Sequence, residues 1–177
     1  MKKTIAIVLL IFSFFIIFFL QSNFFTWFTI AGVMPNMYII LILFIGLFAK
    51  KKIGLIFGLL GGLYLDILLS KVVGISALGF AIIGILGEVF AKNFAKDSRI
   101  TIMLMVVGST FIYESIIYFA NTFIAGNQIE ILAFIRIVAI EIIYNTLLTI
   151  ILYPLIKKLG YKLEETFEDK KILTRYF

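Results

Sequence analysis

Long apolar runs, interrupted at intervals by short polar or basic stretches, dominate this chain. A helix crossing a hydrocarbon core of ~30 Å needs ~20 apolar residues. Six segments approach that length: Thr4–Leu20, Asn36–Ala49, Ile53–Ser70, Ile75–Ala91, Ile100–Ala125 and Ile129–Ile156. Most have no polar face, so lipid or other helices surround them rather than water. The second run is short, and Pro35 stands where it opens. Proline suits that place, because the N–H it lacks is unpaired at a helix start anyway. The pattern predicts an all-α integral membrane protein with six transmembrane helices in one domain, residues 1–156, and a charged tail, 157–177.

The basic residues orient this arrangement. Of 16 Lys and Arg, all but Lys71 and Arg136 fall in four clusters: Lys2–Lys3, Lys50–Lys52, Lys92 to Arg99 and Lys157 to Arg175. Short loops rich in Lys and Arg resist translocation. Placing those clusters inside puts both termini in the cytoplasm and leaves the loops after spans one, three and five outside. The basic start and apolar run could belong to a signal peptide, but no small-x-small cleavage site follows, so an uncleaved first span is expected. The first outer loop carries Phe24, Phe25, Trp27 and Phe28, as a segment at the lipid interface would. The tail mixes Glu164, Glu165, Glu168 and Asp169 with its basic residues. It is expected to lie as an amphipathic helix on the membrane surface or to dock a cytoplasmic partner.

Composition narrows the function. A net charge of +6 would fit nucleic acid in a soluble chain. Here the cations flank apolar spans, where anionic headgroups attract them at about 1 kcal/mol each, so no nucleic acid partner is expected. The chain has no His and no Cys. That removes the commonest general base, thiol chemistry, and both zinc-type and serine–histidine intramembrane hydrolysis. A paired-aspartate protease needs two membrane Asp residues, and only Asp66 lies in a span. No enzyme, cofactor or metal site is expected.

Five ionisable residues lie inside predicted spans: Asp66, Glu88, Glu114, Arg136 and Glu141. Each costs about 2.5–3.5 kcal/mol near the bilayer centre, so each needs a partner or a cavity. At ~1.5 Å of rise per residue, Asp66, Glu114 and Arg136 share the outer leaflet, and Arg136 is expected to pair with Asp66, Glu114 or both. The same count places Glu88 and Asn145 near the inner face, with Glu141 one turn from Asn145, a second polar seam. Thr110, Glu114, Tyr118 and Asn121 recur at helical spacing, so a polar stripe faces protein. The plain role for all of these is to hold helices together. The sharper one is partner binding or transport.

Small residues mark close helix contacts. Span three carries Gly54, Gly58, Gly61 and Gly62; span four carries Ala77, Ala81, Gly84 and Ala91. Small residues four apart let helices approach closely. The two faces join spans three and four within one molecule, with a homodimer interface as the alternative.

Order and spacing then suggest a family. An aromatic first span leads to Pro35-Asn36, a Lys-rich turn, and Gly61-Gly62-Leu63-Tyr64-Leu65-Asp66. Gly74-Ile75-Ser76-Ala77-Leu78-Gly79 follows, and the last span carries Tyr144-Asn145 and Pro154 before Lys157-Lys158. Over nearly its whole length the chain resembles the rod shape-determining protein MreD family. The resemblance implies a non-enzymatic scaffold of the bacterial cell-elongation machinery in the cytoplasmic membrane. Such a scaffold binds the single-span protein MreC and, through it, MreB filaments, the polymerase RodA and a penicillin-binding transpeptidase of peptidoglycan synthesis. It also implies a fold similar to the substrate-binding subunits of energy-coupling-factor vitamin transporters, which supplies an alternative function. Those subunits usually carry Ala-x-x-x-Ala on span one, where this chain has only Ala6. Pro35, Asn36, Asp66, Gly74, Arg136 and Asn145 match the family by motif, with no catalytic role attached.

Overall fold

The computed structural model describes residues 2–49, 51–69, 72–96 and 98–167. Lys50, Ser70, Lys71 and the tail from Glu168 onward, which entered the expectations above, lie outside the described residues. Six helices follow one another: α1 (Lys2–Phe19), α2 (Met37–Ala49), α3 (Lys51–Leu69), α4 (Ile75–Asn93), α5 (Arg99–Ala125) and α6 (Ile131–Phe167). Five are long and apolar enough to cross a membrane, and α2 is shorter. Among the described residues there is no strand; one isolated bridge joins Ile30 to Val33 across a tight turn. All-helical structure is what hydrocarbon demands, since a helix satisfies its own backbone N–H and C=O groups where no water can.

The shortest helix occupies the centre. All 13 residues of α2 except Leu41 are buried. Its length of ~20 Å falls short of a ~30 Å core, so other elements cover both its flanks and its first turn. A helix apolar all round is the kind that goes inside a bundle. Within lipid, however, apolar burial supplies no hydrophobic driving force, so contact must come from close packing and polar bonds. Glycine provides that closeness. A Cβ on Gly58 would collide with the Phe80 carbonyl oxygen, one on Gly62 would lie 2.5 Å from Ala77 Cα, and one on Gly84 would strike the Gly54 carbonyl. A Cβ on Gly46 of α2 would strike the Gly84 carbonyl oxygen, so α2, α3 and α4 press backbone against backbone. A Cβ on Gly61 would instead lie 2.6 Å from the Phe14 ring of α1. The falling partner numbers, Gly84 to Phe80 to Ala77, show α3 and α4 antiparallel.

Helix α6 continues past Pro154 to Phe167, further than its apolar pattern predicted. Its last turns are fastened at the end where the described basic clusters gather. Lys96 Nζ meets Glu164 Oε1 at 2.5 Å and lies 5.5 Å from the centre of the Phe48 ring. Gly160 leaves room for that ring, and Arg99 lies over Tyr153 at 5.4 Å. Ala6 and Leu10 of α1 join Ala49, Leu163 and Phe167 in an apolar cluster there.

Helix α1 stands apart. Among its described side chains only Leu10 and Phe14 are buried. An open apolar groove of about 390 Å³ runs between α1 and α3, and another of about 410 Å³ between α1 and α6. After α1 the chain makes a π-helical turn and a 3-10 turn through Trp27, leaving Trp27 88% exposed with Phe24 and Phe28 beside it.

Candidate functional site

The polar side chains of the spans gather in two centres, and neither has the membership that depth counting predicted. The first is Asp66, fully buried near the end of α3. Its Oδ2 accepts from Gly74 N at 2.8 Å and Ala77 N at 3.2 Å, and its Oδ1 from Ser76 N at 3.3 Å. The first N–H groups of any helix lack internal partners, and the helix dipole places partial positive charge there. Asp66 therefore caps α4 from the neighbouring helix. Gly74, with φ of +109°, makes the turn that aims its N–H at the carboxylate, a conformation L side chains rarely adopt.

Arg136 takes no part in this. It is exposed, and no ion pair joins it to Asp66 or Glu114. The expected pairing is corrected for two reasons: Asp66 is on a helix that packs away from α6, and Glu114, on the neighbouring α5, meets Glu141 while Arg136 is exposed. Helix α3 packs on α4 and α2, whereas α6 packs on α5 and α2. Five residues from the start of α6, or ~8 Å, the long Arg side chain is within reach of the headgroups by extending its stem.

The second centre is Asn145, fully buried on α6. Its Oδ1 accepts from Asn36 N at 2.8 Å, and its Nδ2 donates to Thr110 Oγ1 at 3.0 Å and to Glu141 Oε1 at 3.5 Å. The Glu141 carboxyl lies beside that of Glu114 across the α5–α6 seam. Thr149 Oγ1 donates to the Asn145 carbonyl at 2.7 Å. Tyr118 Oη ties α5 to the next loop, accepting from Glu130 N at 3.0 Å and donating to Glu130 O at 2.9 Å. Thr110, Glu114 and Tyr118 of the expected stripe thus face protein, whereas Asn121, its fourth member, is exposed near the end of α5.

Glu88 is absent from the seam assigned to it. It pairs with Lys92 one turn along its own helix, at 2.8 Å. The seam also lies at the opposite end from the one expected. Asn145 contacts the first turn of α2, because α6 runs eleven residues past Ile156 and counting from that residue misplaced the depth.

Pro35 and Asn36 lead into α2, and Gln21 holds them. Gln21 Nε2 donates to the Pro35 carbonyl, while its Oε1 accepts from Met37 N at 3.3 Å. This role of Gln21 escaped the sequence reading, as did Tyr38 and Tyr113, which look like ordinary apolar positions in a linear pattern. The Pro35 segment borders a cleft of about 380 Å³ at the end of the bundle away from the basic clusters. Asn36, Tyr38, Ser76, Phe80, Tyr113 and Glu141 line it. Asn36 Oδ1 and Tyr38 Oη are buried without a hydrogen-bond partner. Among the described residues, no group of three His, Cys, Asp or Glu side chains could hold a metal ion.

A family model described as rod shape-determining protein MreD matches residues 1–163. No curated protein and no solved structure gives a significant match.

Proposed function

The chain belongs to the MreD family of rod shape-determining membrane proteins, and from that membership we propose that it is a non-enzymatic scaffold of the bacterial cell-elongation machinery. The match over residues 1–163 carries this reading. The proposal places the chain as a multi-pass protein of the cytoplasmic membrane with both termini inside. There it binds an MreC-like single-span protein and, through it, MreB filaments, RodA and a penicillin-binding transpeptidase.

Two observations support a binding role. The glycine faces of α3 and α4 are used within the molecule, so they are not the surface left for partners. The exposed α1, with an apolar groove on each side, is the helix with most unused surface, and a partner's single apolar span would fit along it. Photo-crosslinkers at Ile11 and Leu60, beside the α1–α3 groove, should capture MreC in cells, while one at Leu104 on α5 should not. Equal capture from all three positions would remove α1 as the contact. Pull-down in mild detergent should recover MreC and cell-wall synthases.

The alternative, a substrate-binding subunit of an energy-coupling-factor transporter with the corresponding fold, is favoured by the polar cleft beside Glu141. Recovery of an ATPase-bearing coupling complex in the same pull-down, in place of MreC, would establish it and overturn the scaffold.

A further inference from the structure

We propose that the cleft lined by Asn36, Tyr38, Phe80, Tyr113 and Glu141 binds a primary ammonium group carried on a small apolar or amphiphilic body. The inference does not depend on which protein partner α1 holds.

The size is right for a ligand: about 380 Å³ lies within the range of small-molecule sites, roughly 300–1,000 Å³. Charge selects the sign. Glu141 is the one formally charged side chain among the described residues lining the cleft; its carboxyl abuts that of Glu114, and two buried carboxyls in contact share a proton, leaving one carboxylate charge between them. An anion would meet that carboxylate unfavourably, and a neutral hydroxyl would leave its charge unmet. The free polar atoms select the donor type. Asn36 Oδ1 is a pure acceptor and Tyr38 Oη accepts as well, and both are buried with nothing bonded to them. An ammonium offers three N–H donors and no acceptor, which complements a carboxylate and two vacant oxygens.

The aromatic walls add to this. The Phe80 and Tyr113 rings stack with centroids 4.4 Å apart, and Tyr38 lies 6.1 Å from Phe80. The stack covers the faces between those two rings; an aromatic face turned to the cleft attracts a cation that has shed its water. Met34, Leu65 and Leu69 leave the rest of the cleft apolar, for the body that carries the amine. That amine could come from an ethanolamine phospholipid headgroup or from a free small molecule, and the chemistry of recognition is the same.

The test uses the purified full chain in maltoside micelles, with native mass spectrometry and thermal melting as readouts. The probes are dihexanoyl phosphatidylethanolamine against dihexanoyl phosphatidylglycerol, and hexylamine against hexanoate. The expected result is selective binding of at least one amine probe, with no matching shift from the anionic one. Binding of the phospholipid alone identifies a lipid headgroup; binding of hexylamine identifies a free amine as sufficient. Glu141→Gln and Tyr38→Phe should each weaken binding, the first at least about tenfold because it removes a charge-assisted hydrogen bond. Glu88→Gln, which lies outside the cleft, should leave it unchanged. Binding of the anionic probes as tight as the amines, equal affinity in wild type and Glu141→Gln, or no amine binding to wild type would overturn the proposal. Should Glu141→Gln fail to fold, Tyr38→Phe decides: unchanged affinity there overturns it.

Discussion

Replacing Asp66 with Ala tests whether a carboxylate on one helix holds the start of the next. The wild-type side chain accepts three backbone N–H bonds from Gly74, Ser76 and Ala77 in a fully buried position. Leaving a buried donor without its partner costs ~1–3 kcal/mol. Three donors at the low end, with water reaching part of a helix terminus, give a loss of about 3–5 kcal/mol. Asp66→Asn keeps one acceptor oxygen but loses the charge that matches the helix dipole, so about 2 kcal/mol is expected. Reversible unfolding by sodium dodecyl sulfate in mixed micelles, followed by circular dichroism, measures both. Because the bonds are buried, the loss should hardly change with added salt. An Asp66→Ala protein within about 1 kcal/mol of wild type, or equal losses in the Asn and Ala variants, would refute the cap.

Other substitutions separate packing from polar bonding. Gly58→Val drives a side chain into the Phe80 carbonyl and should cost about 1–3 kcal/mol or more by forcing α3 from α4. Gly108→Ala meets nothing within 4 Å and should instead stabilise α5, by up to about 1 kcal/mol of helix propensity. The same unfolding assay reads both. Arg136→Leu should change stability by less than about 0.5 kcal/mol, as exposed substitutions do. Asn145→Leu, which strands Asn36 N and Thr110, should cost about 2–4 kcal/mol. The reverse order would restore Arg136 as a structural ion. A double-mutant cycle on Lys96 and Glu164 should give a coupling of about 0.5–1 kcal/mol, fading in roughly 1 M salt.

Helix number and most bounds were legible because hydrocarbon asks most spans for about twenty apolar residues, then a polar break; the 13-residue α2 and the long α6 depart from that rule. The small-residue faces were legible for a related reason, since glycines four apart have little other use on a helix than close approach. Gly54, Gly58 and Gly62 do meet α4 as expected. Gly61, one position away from Gly62, turns to α1, a direction that spacing alone leaves open. The polar centres were legible only in part: Gln21, Tyr38 and Tyr113 were missed, and Arg136 and Glu88 lie outside them. Asp66, Gly74, Asn36, Glu141 and Asn145 all make or complete polar contacts. The chain order gives no hint that Asp66 reaches a helix terminus, or that Gln21 closes the start of α2.

The amino-acid order alone determined a membrane bundle of six helices, its basic ends, and the residues too polar to face lipid, because those follow from the free energy of each segment taken singly. Only the tertiary structure decided which helix sits at the centre, which carboxylate meets which donor, and that Arg136 faces outward. Those outcomes depend on which helices are neighbours and how each is rotated about its axis. Depth along a span is a one-dimensional quantity; a hydrogen bond needs the other two dimensions as well.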